Sequence, residues 1–423
     1  MTTFTRIRNL VCFAGLAIWL AAWLGQHAGL GHAIYDAAIV IGGVLLLVSA
    51  CASASVWLYG RTRRVVRERQ YRARSAGNGQ PADDSGAPLA VSAMAVTGSV
   101  GCAAVLVLGG GGPGAIRMVH SAGGRSGRPG LAITADTRFE IGSVTKVFTG
   151  LVLADMIVRG ETDLDATLAA LLGLASSDGG SITLRSLAIH TSGLPRLVPS
   201  RRMKARALSA HPNPYQGIDL AYAKAALARN PPARPGAFRY SNLGYQLLGA
   251  ALAAAAGTTW PDLVWRRICQ PLGMSATGIW PDGNSARGHD RAGLPVPYWD
   301  STLLPGAGAL HSSPADLERF LRAQLDPDST GLGPAIRLSR LPHTADLAVR
   351  PAGLGWMLET TAGTTLAWHN GGTGGFGASL AVADRPRRPA ALAILVNSPH
   401  SSALDTLARE TLMKLPDMDD AAP

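Results

Sequence analysis

Charge, lysine and cysteine are all scarce in this chain. Only 16% of its 423 residues are charged, and the 39 basic residues include just four lysines: Lys146, Lys204, Lys224 and Lys414. The remaining 35 are arginines, so arginine is the residue used wherever a plain positive charge suffices. The four cysteines (Cys12, Cys51, Cys102 and Cys269) form no CxxC pair and no Cys/His cluster. That leaves no basis for a disulfide framework or a structural zinc site. The ten histidines contain no HExxH and no ligand-like spacing, so no metal is expected. No internal repeat is visible. The net charge of +11 does not form a groove-tracking face either. Seven arginines, Arg61, Arg63, Arg64, Arg67, Arg69, Arg72 and Arg74, crowd into RTRRVVRERQYRAR directly after a hydrophobic run. A cluster in that place reads as a cytoplasmic membrane flank rather than a nucleic-acid site.

What the chain does have is long apolar stretches. Residues 10–30 and 37–59 are each about 20 residues long and lack charge, the length a helix needs to cross a bilayer. Trp19, Trp23, Trp57 and Tyr59 lie where interfacial aromatics are useful. Residues 1–60 are therefore expected to be a membrane anchor of two transmembrane helices. Residues 61–97 follow as an Arg-rich and Gly/Pro/Ser linker. Leu89 to Gly109 is again apolar and has two readings: a third span, or a strand that opens a soluble domain by pairing with AIRMVHSAGG. Two spans with the arginines inside leave the C-terminal domain in the cytoplasm, and three export it.

Residues 98–415 read as one mixed α/β domain, with residues 416–423 as a tail. Strand-like pieces (TRFEI, GASLAVA, ALAILVN) cluster towards its two ends and the middle is Ala-rich and helical. A mostly antiparallel sheet built from both ends, flanked by helices and carrying an inserted helical lobe, is the expected architecture.

One of the rare lysines stands in FEIGSVTKVFTG. Gly142 ends a strand pattern, and SVTKVFTGLVLADMIVRG is a core helix stopped by Gly160. Ser143 is thus near a helix N-terminus, and Lys146 lies one turn later on the same face. A serine hydroxyl is a poor nucleophile until a base takes its proton. A buried lysine amine can be that base, whereas arginine cannot be deprotonated in a protein. The plainer reading makes Ser143 a helix cap and Lys146 a solvated charge. In RYSNLGYQLLGAAL, Tyr240 and Asn242 flank the start of another helix, where a phenol can share the proton load and an amide can hold a carbonyl. In WHNGGTGGFGASL, His369 is followed by Gly371 and Gly372, which leave a bare backbone edge able to pair with a substrate or aim an N–H at an oxyanion. The GxGxxG spelled by Gly372, Gly374 and Gly377 precedes a strand, not a helix, so dinucleotide binding is not expected. Ser192 in HTSGLP has no lysine one turn on and no GxSxG elbow, and is read as part of a structural turn.

The order SxxK, YxN, HxG resembles the class C β-lactamase-related serine hydrolases, the penicillin-recognising fold, whose third motif is often KTG and sometimes HxG. DTRFEIGSVTKVFTG, LRSLAIHTSGLP, RYSNLGYQLLG, ICQPLGM, GLGW and WHNGGTGGF fall in that family's order across about residues 98 to 415. The resemblance implies a β-hairpin at residues 101–124. It implies Ser143 as the acylated nucleophile, Lys146 as its base or proton relay, and Tyr240 as sharing that role and helping to activate the deacylating water. Asn242 would hold the substrate amide, and the backbone N–H groups of Ser143 and Gly372 would form the oxyanion hole beside Gly371. His369 would orient a substrate carboxylate or complete the proton network. A histidine near neutrality offers a weaker, pH-dependent charge than the usual lysine. The expected protein is a membrane-anchored serine hydrolase with an extracytoplasmic catalytic domain and no cofactor. It would act through an acyl-enzyme on a β-lactam, a D-amino-acid cell-wall peptide or a small ester. A slowly deacylating penicillin-binding or sensing protein is the alternative, and a membrane scaffold that works through its basic cluster is a further one. Nucleic acid is not an expected partner.

Overall fold

The computed structural model describes residues 87–109, 117–124, 132–175, 179–198, 213–229, 232–299, 301–344, 351–361, 363–385 and 388–415. The expected membrane spans at 10–30 and 37–59, the arginine cluster and the tail at 416–423 lie outside the described residues.

Helix α1 (Ala87–Thr97) leads into strand β1 (Gly101–Leu108), which pairs antiparallel with β2 (Arg117–Gly123). The apolar stretch 89–109 is therefore no single bilayer-length helix. Gly98 adopts φ +65°, its N–H bonds back to the Met94 carbonyl, and the chain turns from helix into sheet. The domain also starts earlier than the expected residue 98, because α1 packs on β1 and β2 with Ala90 and Ala93 fully buried. Among the described residues no single helix is long and apolar enough to cross a membrane.

The chain then runs through the short β3 (Phe139–Glu140), a 3-10 turn (Gly142–Val144) and helix α2 (Thr145–Val158). The helical region that follows includes α3 (Asn242–Ala255), after which come β4 (His311–Ser312), α4 (Pro314–Leu325) and α5 (Gly333–Arg340). Strands β5 (Met357–Thr361), β6 (Thr364–Gly372), β7 (Gly377–Asp384) and β8 (Ala390–Val396) precede the last helix, α6 (Ser402–Met413). The main sheet has the order β2-β1-β8-β7-β6-β5, with each neighbouring pair antiparallel, while β3 and β4 form a separate ribbon. Strands from the two ends of the domain thus share one sheet, and helices fill the interval, as expected from the pattern.

Why β1 and β8 read as unbroken apolar runs follows from burial on both faces. Ala103, Val105 and Val107 of β1, with Ala391, Ala393 and Leu395 of β8, join the core that holds Phe148 and Phe320. Their alternate neighbours turn to the other face, against which α1 and α6 pack. Phe148 of α2 stacks on Phe320 of α4 at 4.7 Å between ring centres, which anchors α2 in this core. At Gly150 of α2 an added Cβ would collide with the Leu354 carbonyl, so that contact requires glycine.

Candidate active site

Ser143 sits in the 3-10 turn that immediately precedes α2, partly exposed. Lys146 lies one turn on and is fully buried, with Nζ 2.9 Å from Ser143 Oγ. The amine also donates to the Ala307 carbonyl at 2.7 Å. Two further bonds tie the same segment to α2: Thr149 Oγ1 donates to the Gly306 carbonyl, and the Leu310 N–H donates to Thr145 Oγ1. Among the described residues no carboxylate pairs with Lys146. Burial, and next the Arg196 charge, hold its pKa well below the ordinary lysine range. With the amine neutral, its lone pair faces Ser143, and the serine hydroxyl becomes the donor in that contact.

Tyr240 shares a side-chain hydrogen bond with Ser143, and its ring centre lies 5.0 Å from Lys146 Nζ. Burial pushes its phenol up to about 12, against the opposing pull of the Ser143 bond and Arg196. Near neutral pH Tyr240 is therefore a protonated donor. Asn242 is the first residue of α3, capped by Ser241 Oγ, which accepts the Gly244 N–H at 2.8 Å. The Asn242 amide nitrogen donates to Tyr215 Oη at 2.6 Å, while its buried Oδ1 has no partner among the described residues. That free oxygen suits an N–H from a substrate.

Strand β6 brings the third element. Gly371 and Gly372 lie directly on the backbone around Ser143. A Cβ at Gly371 would strike the Ile141 carbonyl and come within 3.1 Å of Ser143 N, and one at Gly142 (φ +50°) would lie 2.6 Å from Gly372 N. Only glycines permit this approach, and it brings the Ser143 and Gly372 N–H groups together as an oxyanion hole requires. His369 stands two residues back on β6, 2% exposed, with its ring centre 6.1 Å from that of Tyr240. Its Nδ1 donates to the Asn370 carbonyl at 2.6 Å, and Nε2 has no partner among the described residues. Burial foremost, then Lys146, pushes its pKa down to about 3. The expected pH-dependent charge near neutrality is thus corrected: His369 is a neutral ring that keeps one acceptor nitrogen.

All seven sequence-derived site residues, Ser143, Lys146, Tyr240, Asn242, His369, Gly371 and Gly372, fall in one place. Ser192 does not join them as a nucleophile. It is buried, and its hydroxyl accepts the Leu194 N–H within the turn. Three participants had no motif to announce them. His190 (φ +61°) accepts the Ser241 N–H and stacks 4.4 Å from Tyr240. Tyr215 holds the Asn242 amide, and Arg196 lies over the Tyr240 ring at 5.2 Å, exposed at the side of the site. The only sequence hint of any of these was the HTSGLP turn, which contains His190 and ends next to Arg196.

The model of the Beta-lactamase family matches residues 67–414. The chain belongs to the beta-lactamase family. Among curated relatives, a beta-lactamase of Escherichia coli (strain K12) is 32% identical over 236 residues, covering 53% of this chain and 58% of that protein. The D-alanyl-D-alanine-carboxypeptidase/endopeptidase AmpH of the same strain is 31% identical over 210 residues, covering 48% of this chain and 52% of that one. Unguisins hydrolase ungD' of Aspergillus campestris is 27% identical over 281 residues, covering 60% and 52%. The chain spans little more than half the length of these three relatives. A solved class C beta lactamase from Rhodobacter sphaeroides superposes with a TM-score of 0.64 at 22% identity, covering 78% of this chain and 99% of that one. That likeness is one of fold.

Proposed function

We propose that the protein is a serine hydrolase that works through an acyl-enzyme on Ser143. The observation that carries this reading is the fully buried Lys146 amine 2.9 Å from the Ser143 hydroxyl, with no carboxylate partner among the described residues. Ser143 Oγ bonds to the substrate carbonyl carbon as its proton passes to Lys146. The oxygen that gains charge is held by the Ser143 and Gly372 N–H groups. As the tetrahedral adduct collapses, the bond to the leaving group breaks and the leaving group takes the proton through Lys146 and Tyr240. Water then hydrolyses the ester on Ser143, with the same pair handling its proton. The residues invoked need no cofactor.

The substrate class follows from the groups around the carbonyl. Asn242 Oδ1 and the bare β6 edge favour an acyl compound with an amide or extended backbone, and the fixed cation beside the site is Arg196 rather than the third motif. β-Lactams and D-amino-acid peptides meet these terms, whereas a small ester would use only the carbonyl site made by the Ser143 and Gly372 N–H groups. The relatives' names (beta-lactamase, carboxypeptidase/endopeptidase, unguisins hydrolase) support the same range. Membrane anchoring through residues 10–30 and 37–59, with the catalytic domain outside the cytoplasm, is part of the proposal. The anchoring rests on the two uncharged runs, and the placement rests on the exported nature of cell-wall substrates, against the cytoplasmic side that two spans with the arginines inside would give.

The test is intact mass of the full chain after mixing with a penicillin and, separately, with p-nitrophenyl acetate, beside Ser143→Ala. An adduct on wild type alone supports the reading. Penicillin labelling points to cell-wall chemistry and ester labelling alone to an esterase, whereas a stable adduct without turnover favours a penicillin-binding sensor. A folded wild type with no adduct from either reagent overturns it. Shielding of the catalytic domain from protease in intact cells would overturn the extracytoplasmic placement.

A further inference from the structure

Behind the oxyanion hole lies a carboxylate that the reaction does not use. Glu140 is 3% exposed and stands on β3, three residues ahead of Ser143. One of its oxygens accepts the backbone N–H of Trp299 at 2.6 Å, and the other accepts the Thr373 hydroxyl at 2.5 Å. Thr373 directly follows Gly372, and its own N–H closes the turn to β7 on the Phe376 carbonyl at 3.0 Å. A single side chain therefore runs from the strand that feeds the Ser143 turn to the residue that leaves the Gly372 edge, across 233 positions of sequence.

A buried carboxylate is a costly way to bridge two segments unless its acceptors are needed. Both bonds here run into the carboxylate, as suits an acceptor-only group, and such charge-assisted bonds are short and strong. Among the described residues no lysine or arginine pairs with it. His311, its register partner on β4, has Nε2 3.9 Å away, and burial holds that ring down at about 4, uncharged near neutrality. Tyr298 is the other titratable neighbour. Arg138 and Asp282 act on His311, and Arg287 and Asp282 act on Tyr298. Burial pushes Glu140 itself up to about 7, while the Thr373 and Trp299 bonds pull it back.

We infer that Glu140 is a positioning residue for the oxyanion hole: by holding Thr373 to the strand that enters Ser143, it sets the separation of the Ser143 and Gly372 N–H groups without touching substrate. The inference rests on the acyl-enzyme reading above. Protonation makes one acceptor oxygen a donor, so the Thr373 hydroxyl must turn its hydrogen away and the clamp loosens. Activity then carries an ionisation near pH 7, with the working form on the alkaline side.

The test uses the full chain, p-nitrophenyl acetate as substrate and phenylboronic acid as a tetrahedral adduct of the serine. Glu140→Gln should lower kcat by about 10- to 100-fold, as small misplacements of reacting groups do. KM should stay nearly unchanged, and phenylboronic acid should bind more weakly by a similar factor. Thr373→Val should match that loss, Thr373→Ser should restore most of it, and the Glu140→Gln/Thr373→Val pair should lose no more than either alone. The ionisation near pH 7 should vanish from Glu140→Gln. Wild-type kcat and boronate affinity in Glu140→Gln or Thr373→Val, or a loss confined to KM, would overturn the inference while leaving the hydrolase reading intact. If wild type shows neither turnover nor an adduct with penicillin or ester beyond that of Ser143→Ala, both fall together.

Discussion

The helix side of the site carries its chemistry in side chains, and the strand side carries it in backbone. Around the starts of α2 and α3, Ser143, Lys146, Tyr240 and Asn242 each need one particular functional group at one particular height. On β6, Gly371 and Gly372 matter because they have no side chain, and His369 contributes a ring that burial keeps neutral. The helix side is therefore sensitive to what a residue can protonate, and the strand side to how much room it takes. Proton traffic and anion binding are assigned to different secondary structures, and each can be broken separately.

Lys146→Arg should break the helix side most deeply. It puts a permanent positive charge where a neutral amine stood and removes the group able to take the serine proton, and ester turnover should fall by about 10²–10⁴-fold, the usual span for a lost acid–base group. Steady-state rates with Lys146→Ala as control would check this, and a rate near wild type would show that Lys146 is not the base. Gly371→Ala should break the strand side next, because its methyl would strike the Ile141 carbonyl and force the oxyanion donors apart. The expected loss is about 10²–10³ in kcat, as for the removal of one such donor. The melting curve and Lys146 side-chain chemistry should change little by comparison.

The pH dependence sharpens the contrast. His369→Asn should leave the shape of the rate profile unaltered between about pH 5 and 8, because the ring it replaces is neutral throughout that window. A limb that disappears with the substitution would mean that the histidine is charged there. The smallest effect concerns stability. Lys146 has a folded pKa held well below its unfolded value. Between those two values the unfolded chain binds a proton that the folded one does not, so this residue's contribution to stability rises with pH across that window. At neutral pH Lys146→Met should be inactive yet more stable by about 0.5–2 kcal/mol, the gain typical of relieving an active-site strain. Denaturant midpoints at pH 7 and at pH 10 would show whether the gain shrinks as predicted.

The sequence announced the residues whose chemistry is fixed by type and spacing. Serine and lysine three apart at a helix start, a tyrosine and an asparagine around a cap, and paired glycines before a strand all have local signatures. The sheet built from both ends was legible for a similar reason, since runs such as AALAILV match burial on both faces. The charge state of His369 was not legible, because it depends on enclosure by segments far away in sequence. The same holds for Glu140 and Tyr215, whose partners lie 233 and 27 positions off. The stretch 89–109 kept two readings because apolar composition alone cannot distinguish a helix followed by a buried strand from one continuous span. The turn at Gly98 decides it, and a glycine within an apolar run is weak punctuation.

The pairing of β1 with β8, Cys102 opposite Val396, has a consequence for how the molecule is made. Contacts between positions so far apart are slow to form, and a ribosome adds roughly 5–20 residues each second. A nascent chain that has emerged as far as Arg340 already holds the serine, the lysine, the tyrosine and the asparagine, but not one atom of the edge that would bind the oxyanion. During synthesis the reactive groups therefore exist for several seconds before the half that makes them useful. Catalytic competence should switch on abruptly, with the last three strands, rather than accumulate as the chain lengthens.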